Sequence, residues 1–101
     1  MAAPSSTGSQ VGTTTAKQAV ESGLQLFESG QSEAALRCFQ QAMQLSPDED
    51  EARAALYNAA CCHTKLKQWD SAVECAMKAI NDYDLKLVVA LRVCVGHLLR
   101  T

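Results

Sequence analysis

The chain reads as an all-α protein built of two antiparallel helix-turn-helix units followed by a C-terminal capping helix, and three observations carry that reading. Apolar residues recur at three- and four-residue steps from residue 16 onward, the spacing of a helix face. Gly30 and Pro47 stand where such stretches would stop, one by backbone freedom and the other by its missing N–H. The pattern also returns on itself, since Ala72, Ala76 and Ala79 repeat the spacing of Ala35, Phe39 and Ala42 after 37 residues, the mark of a repeat architecture. Composition agrees: 48% of the 101 residues are apolar but only 5% aromatic, which suits closely packed alanine-rich helices better than a sheet.

The elements follow in order. Residues 1–15 hold Ser5, Ser6, Thr7, Ser9, Thr13, Thr14 and Thr15 among Pro4, Gly8 and Gly12, with no acidic side chain. They are expected to form a disordered tail, and the same composition suits an organelle transit peptide. Residues 16–49 make the first unit. Val20, Leu24 and Phe27 share one stripe of its first helix, which ends at Ser29 and Gly30. Ser32 is expected to cap the second helix by accepting a backbone N–H. That helix sets Ala35, Phe39 and Ala42 on one face with Leu36 and Met43 beside them, and Pro47 stops it.

Residues 50–86 make the second unit. The acidic run from Asp48 to Glu51 suits a helix N-terminus, where the macrodipole favours negative charge. The helix after it carries Leu56, Tyr57, Ala59, Ala60 and Leu66. Trp69 is expected to fill the next turn and Asp70 to cap the fourth helix, whose buried face Val73, Met77 and Ile80 would widen. The run from Leu85 to Leu99 is apolar but broken by Lys86, Arg92, Gly96 and His97, too short and too charged to span a bilayer. Residues 87–101 are therefore expected to cover the open end of the stack.

Charge and cysteine content exclude several functions. A net charge of -2 without a basic stripe speaks against nucleic acid as a partner, because phosphate contacts need clustered Lys and Arg. Five cysteines cannot all pair within one chain, and no signal peptide opens the sequence, so a reducing compartment is expected. Cys61, Cys62 and His63, with Cys75, invite a thiol or metal reading. Neighbours on a helix point about 100° apart, so three consecutive residues do not converge on one ion, and no Cys-x-x-Cys pair is present. No metal, no other cofactor and no enzyme active site is expected; Asp48 to Glu51 read as helix-start carboxylates rather than a tuned acid-base pair. The glycines form no phosphate loop.

Gly23, Gly30, Ala35, Phe39, Ala42 and Pro47 fall at the relative positions of the small residue, turn glycine, second-helix alanine, aromatic, alanine and terminal proline of the tetratricopeptide repeat, so residues 16–49 resemble one such repeat. Residues 53–86 resemble a second, with Ala60, Trp69, Ala72 and Ala79 matching, Ala76 in place of the aromatic and Asp84 in place of the proline. The resemblance implies an α-α superhelix with a concave peptide-binding groove lined by the first helix of each pair. The groove residues it implies are Lys17, Val20, Leu24, Tyr57, Asn58, Cys61 and Lys65, with Asn58 where an amide commonly grips a ligand backbone. Chaperone-binding members need a lysine and an asparagine where this chain has Val20 and Leu24, so an apolar or mixed ligand is expected instead.

A narrower resemblance rests on Tyr57-Asn58-Ala59-Ala60-Cys61-Cys62-His63, Tyr83-Asp84-Leu85-Lys86 and Gly23-Leu24-Gln25-Leu26-Phe27 with Glu28-Ser29-Gly30. These runs are similar to the low photosystem II accumulation family of chloroplast repeat proteins. That resemblance implies a protein-binding scaffold at the stroma or thylakoid surface that assists assembly or repair of photosystem II, with the D1 reaction-centre subunit as partner. It also implies membrane helices after the repeats. Residues 93–101 look unlike the family, and the chain is expected to be a truncated form, an incomplete gene model or a soluble relative, with peripheral membrane association left open. A generic soluble adaptor in the cytosol is the alternative, and a thiol or metal protein the third.

Overall fold

A computed structural model describes residues 14–86. It holds four α-helices in chain order: α1 over Ala16–Glu28, α2 over Ser32–Met43, α3 over Glu49–Lys65 and α4 over Trp69–Tyr83. Among the described residues there is no strand. Residues 1–13 of the expected tail, and the expected cap at 87–101, lie outside the described residues.

Local chemistry starts two of the helices. Thr15 accepts the Gln18 amide while the Gln18 side chain accepts the Thr15 amide. Asp48 and Glu51 make the same reciprocal pair at α3, so the acidic run begins a helix as its charge suggested. Each pair satisfies two backbone donors that the first turn leaves without helical partners.

The other two starts correct the expected caps. Ser32 and Trp69 are the first residues of α2 and α4, and the N-cap positions belong to Gln31 and Gln68, which make no side-chain cap bond. The reason is the shape of the preceding turn. Gly30, at φ 88, takes the left-handed conformation. Its amide donates to the Phe27 carbonyl at 3.0 Å and the Gln31 amide to the Leu26 carbonyl at 2.9 Å. This paired closure ends α1 and leads through Gln31 directly into α2, so that Ser32 already lies inside the first turn and not at the N-cap. Lys67 and Gln68 repeat it, with bonds to the Thr64 and His63 carbonyls at 3.0 and 2.8 Å.

Lys67 therefore sits at φ 62 where the first unit has glycine, a conformation in which Cβ crowds the following carbonyl. Lys67→Gly is expected to stabilise the chain by about 0.5–1 kcal/mol. A higher urea midpoint at unchanged slope would record it, and an unchanged or lower midpoint would contradict it.

The hairpins are antiparallel. In the first, Gly23 of α1 meets Phe39 of α2, and a Cβ built on Gly23 would lie 2.6 Å from the ring. In the second, Arg53 near the start of α3 donates to the Tyr83 carbonyl at the end of α4 at 2.7 Å and pairs with Asp50. One guanidinium thus satisfies a free carbonyl at a helix C-terminus, where positive charge is favoured.

Two apolar clusters hold the stack. Ala16, Ala19 and Val20 of α1, Ala35, Phe39 and Ala42 of α2, and Ala55, Ala59 and Cys62 of α3 form the first. Leu56, Ala60, Ala76, Ala79 and Leu85 form the second. α3 is buried on both sides and is the helix common to the two clusters. Small residues at these contacts let the helix backbones approach closely, and the one large ring fills the space that they leave.

α3 packs on α1, α2 and α4, whereas the backbone of α4 approaches neither α1 nor α2. In a closed four-helix bundle the first and last helices would meet; here the stack is open, and α1 and α3 lie side by side along one face. One expectation about α4 fails. Val73 and Met77 do not widen its buried face but are 49% and 47% exposed, and Trp69 at 41% is a helix residue rather than a filler of the turn. Only Ile80 of that set is half-buried. The buried face of α4 is Ala72, Ala76 and Ala79, because its backbone approaches only α3 among the described helices and a helix with one close neighbour buries one stripe.

Candidate functional site

The candidate site is the face shared by α1 and α3. Its seven sequence-derived residues are the α1 residues Lys17, Val20 and Leu24 and the α3 residues Tyr57, Asn58, Cys61 and Lys65. They do not form one contiguous group. Val20 is 8% exposed inside the first apolar cluster, and Leu24 packs against that cluster from a half-buried position. Both are foundations of the α1 wall more than free contact surface. Lys17, one turn earlier, is exposed.

Tyr57 and Cys61 belong instead with the second cluster, beside Leu56 and Ala60. They stand one turn apart on α3 and share a side-chain hydrogen bond. Lys65 continues the row by a further turn and is exposed. Its positive charge acts on Cys61, but burial is the larger effect and the Cys61 thiol lies above its ordinary value. A half-buried aromatic ring, a protonated thiol and a lysine in one row offer apolar contact with a cation at its end.

Asn58 is half-buried, and its Nδ2 donates to the Ala54 carbonyl one turn back at 2.7 Å. One amide hydrogen is thus committed to the helix, which fixes the plane of the group. No other hydrogen bond of this amide is seen among the described residues.

The cysteine-histidine run is structural in its geometry. Cys62 is fully buried in the first cluster. Burial pushes its thiol up to about 12, with Cys61 and Cys75 adding to the effect. The Cys75 thiol is raised as well, by burial and then by Glu74. Thiols held protonated at neutral pH are poor nucleophiles and poor metal ligands. His63 is buried, and its Nδ1 donates to Gln68 Oε1 at 2.7 Å. That bond ties the last turn of α3 to the residue before α4 and leaves the ring without a thiol partner. No group of three or more His, Cys, Asp or Glu side chains able to hold a metal ion occurs among the described residues.

Sequence reasoning missed the features at the α3–α4 turn. Lys67, Gln68, Trp69, Asp70 and Ser71 line a shallow depression of about 270 Å³, and the exposed Trp69, Val73 and Met77 run along α4 from it. The signal was present as the i, i+4, i+8 spacing of those three, but spacing alone does not say whether a neighbouring helix covers them. No described helix is long and apolar enough to cross a membrane.

Comparison with known proteins fits this geometry. The chain is similar to a chloroplastic protein of Arabidopsis thaliana, with 42% identity over 60 residues, covering 56% of this chain and 18% of that protein. It thus spans less than a fifth of the length of this relative. No solved structure matches. A family model described as tetratricopeptide repeat matches residues 26–92, about two thirds of the chain. With paired helices, a glycine under a ring and an open stack beneath that match, the chain belongs to the tetratricopeptide repeat family.

Proposed function

We propose that this repeat protein is a chloroplast scaffold that holds an apolar or mixed peptide segment along the face shared by α1 and α3, and that it serves assembly or repair of photosystem II with the D1 subunit as ligand. The coarser statement, a protein–protein interaction scaffold, follows from membership of the family. One observation carries the finer reading of the site: the row Tyr57, Cys61 and Lys65, beside the fixed amide of Asn58, is accessible on an open face. A ring in reach of solvent and an oriented amide are the parts needed to grip an extended backbone and one apolar side chain. The likeness to a chloroplast protein supports the compartment. The photosystem II reading rests on the sequence resemblance in the Cys61-Cys62-His63 and Tyr83-Asp84-Leu85-Lys86 runs.

The test is co-purification of D1 with the tagged full chain from solubilised thylakoids, together with imaging of the tagged chain in leaf cells. Recovery of D1 by the native chain is expected, with a roughly tenfold loss for the Tyr57→Ala/Asn58→Ala variant, the size expected when about 1.4 kcal/mol of contact is removed. A cytosolic location with no photosystem subunit recovered would favour the generic adaptor instead.

A further inference from the structure

Ser46 stands in the link between α2 and α3, exposed and at φ 54, a left-handed conformation in which Cβ crowds the backbone. Pro47 follows it, and the residue before a proline favours an extended backbone because the ring crowds its neighbour. The turn therefore holds Ser46 away from the conformation that its own dipeptide prefers. Of the two prolines, Pro4 follows Ala3, so Ser46-Pro47 is the one place in the chain where a hydroxyl residue precedes proline.

The other hydroxyls of the described residues are engaged or enclosed in helices. Ser22, Ser32, Thr64 and Ser71 lie within helices. Thr15 caps α1, the Ser29 hydroxyl donates to the Leu26 carbonyl at 2.9 Å, and Thr14 has a partner. Ser46 alone lies outside a helix with no hydrogen bond to a described residue. Drawing the link out into an extended form would relieve the crowding at Ser46 and break no bond of its hydroxyl. An exposed hydroxyl in a segment that prefers to extend is what a protein kinase needs, because its cleft aligns the acceptor oxygen with the γ-phosphate of ATP and a helix cannot enter it.

We infer that Ser46 is a phosphorylation site for a proline-directed serine/threonine kinase, and that the phosphate loosens the start of α3. In the transfer, Ser46 Oγ bonds to the γ-phosphorus of ATP as the bond from that phosphorus to its bridging oxygen breaks. ADP leaves, and the hydroxyl proton passes to the kinase's catalytic carboxylate. The new group carries a charge of about −1.5 to −2. It arrives two residues before the N-cap Asp48, where Glu49, Asp50 and Glu51 already fill the first turn and Arg53 pairs with Asp50 alone. The helix dipole favours an anion there, but beside four carboxylates the repulsion between like charges decides the sign.

The test treats the full chain with ATP and a recombinant proline-directed kinase and locates the phosphate by mass spectrometry. Phosphate on Ser46 is expected, with incorporation at that link roughly tenfold lower or less for Ser46→Ala and Pro47→Ala, while circular dichroism reports that the helices persist in both variants. The phosphorylated chain is expected to unfold at a lower urea midpoint than the untreated chain. The fall should be at least halved near 1 M sodium chloride, where an exposed charge reaches only about 3 Å. Phosphate found only on other residues, or none at all, would overturn the site. A midpoint that rises, or a fall that salt leaves unchanged, would overturn the effect assigned to α3.

Discussion

Phe39→Ala is expected to remove a large share of the fold's stability, about 3–5 kcal/mol, and to move its urea midpoint far down. Phe39 is fully buried and is the largest side chain in that state. It is the only ring among the buried members of the first cluster, where α1, α2 and α3 meet. Its neighbours there are mostly alanines, too short to close on the gap. Phe-to-Ala changes in such sites cost about 3–5 kcal/mol, and a repeat pair of this size has on the order of 5–10 kcal/mol to lose. Urea unfolding followed by circular dichroism reads the result. A midpoint within a tenth of the native value would mean that the cluster contributes far less than its burial implies.

The second large effect is expected at Gly23. A methyl group added there would lie 2.6 to 2.9 Å from three atoms of the Phe39 ring, closer than carbon atoms approach without displacement. The ring is packed on all sides and cannot yield freely. Gly23→Ala should therefore destabilise the fold by about 1–3 kcal/mol, although alanine is the better helix former by about 1 kcal/mol. The sign itself is the test, since a helix-propensity argument alone predicts a gain. Shortening the ring should relieve the clash, so Gly23→Ala/Phe39→Leu is expected to be less unstable than the sum of its single changes, a coupling that a double-mutant cycle isolates. Strict additivity would mean that the two residues do not meet.

Both effects fall on residues whose type was legible before any coordinates. Gly23 and Phe39 stand in the repeat frame as the small residue and the aromatic, and the close approach of glycine to ring explains why those types occur there. The acidic start of α3 was equally legible, because a capping box is built from residues three apart in the chain. The cap expectations for Ser32 and Asp70 failed for a different reason. Their residue types suit capping, but the helices that follow the left-handed turns at Gly30 and Lys67 begin from Gln31 and Gln68, one residue before Ser32 and two before Asp70.

The candidate site was legible only as a set of positions. Periodicity placed Val20 and Tyr57 on first helices, yet Val20 belongs to the inner cluster and Tyr57 to the outer one. The bond from Asn58 to Ala54 likewise needs a rotamer that residue spacing does not specify.

Sequence by itself determined the helix class, the paired turns 37 residues apart, the capped start of α3 and the small-residue contacts. Each of these depends on groups within a few residues of one another, or on a repeat that states the same local plan twice. Tertiary structure alone decided that the backbone of α4 approaches α3 and no other described helix while Trp69, Val73 and Met77 stay exposed, and that Lys67 takes a conformation better suited to glycine. An apolar stripe records which side of a helix avoids water, whereas how many neighbours arrive to cover it depends on the stacking of the whole chain.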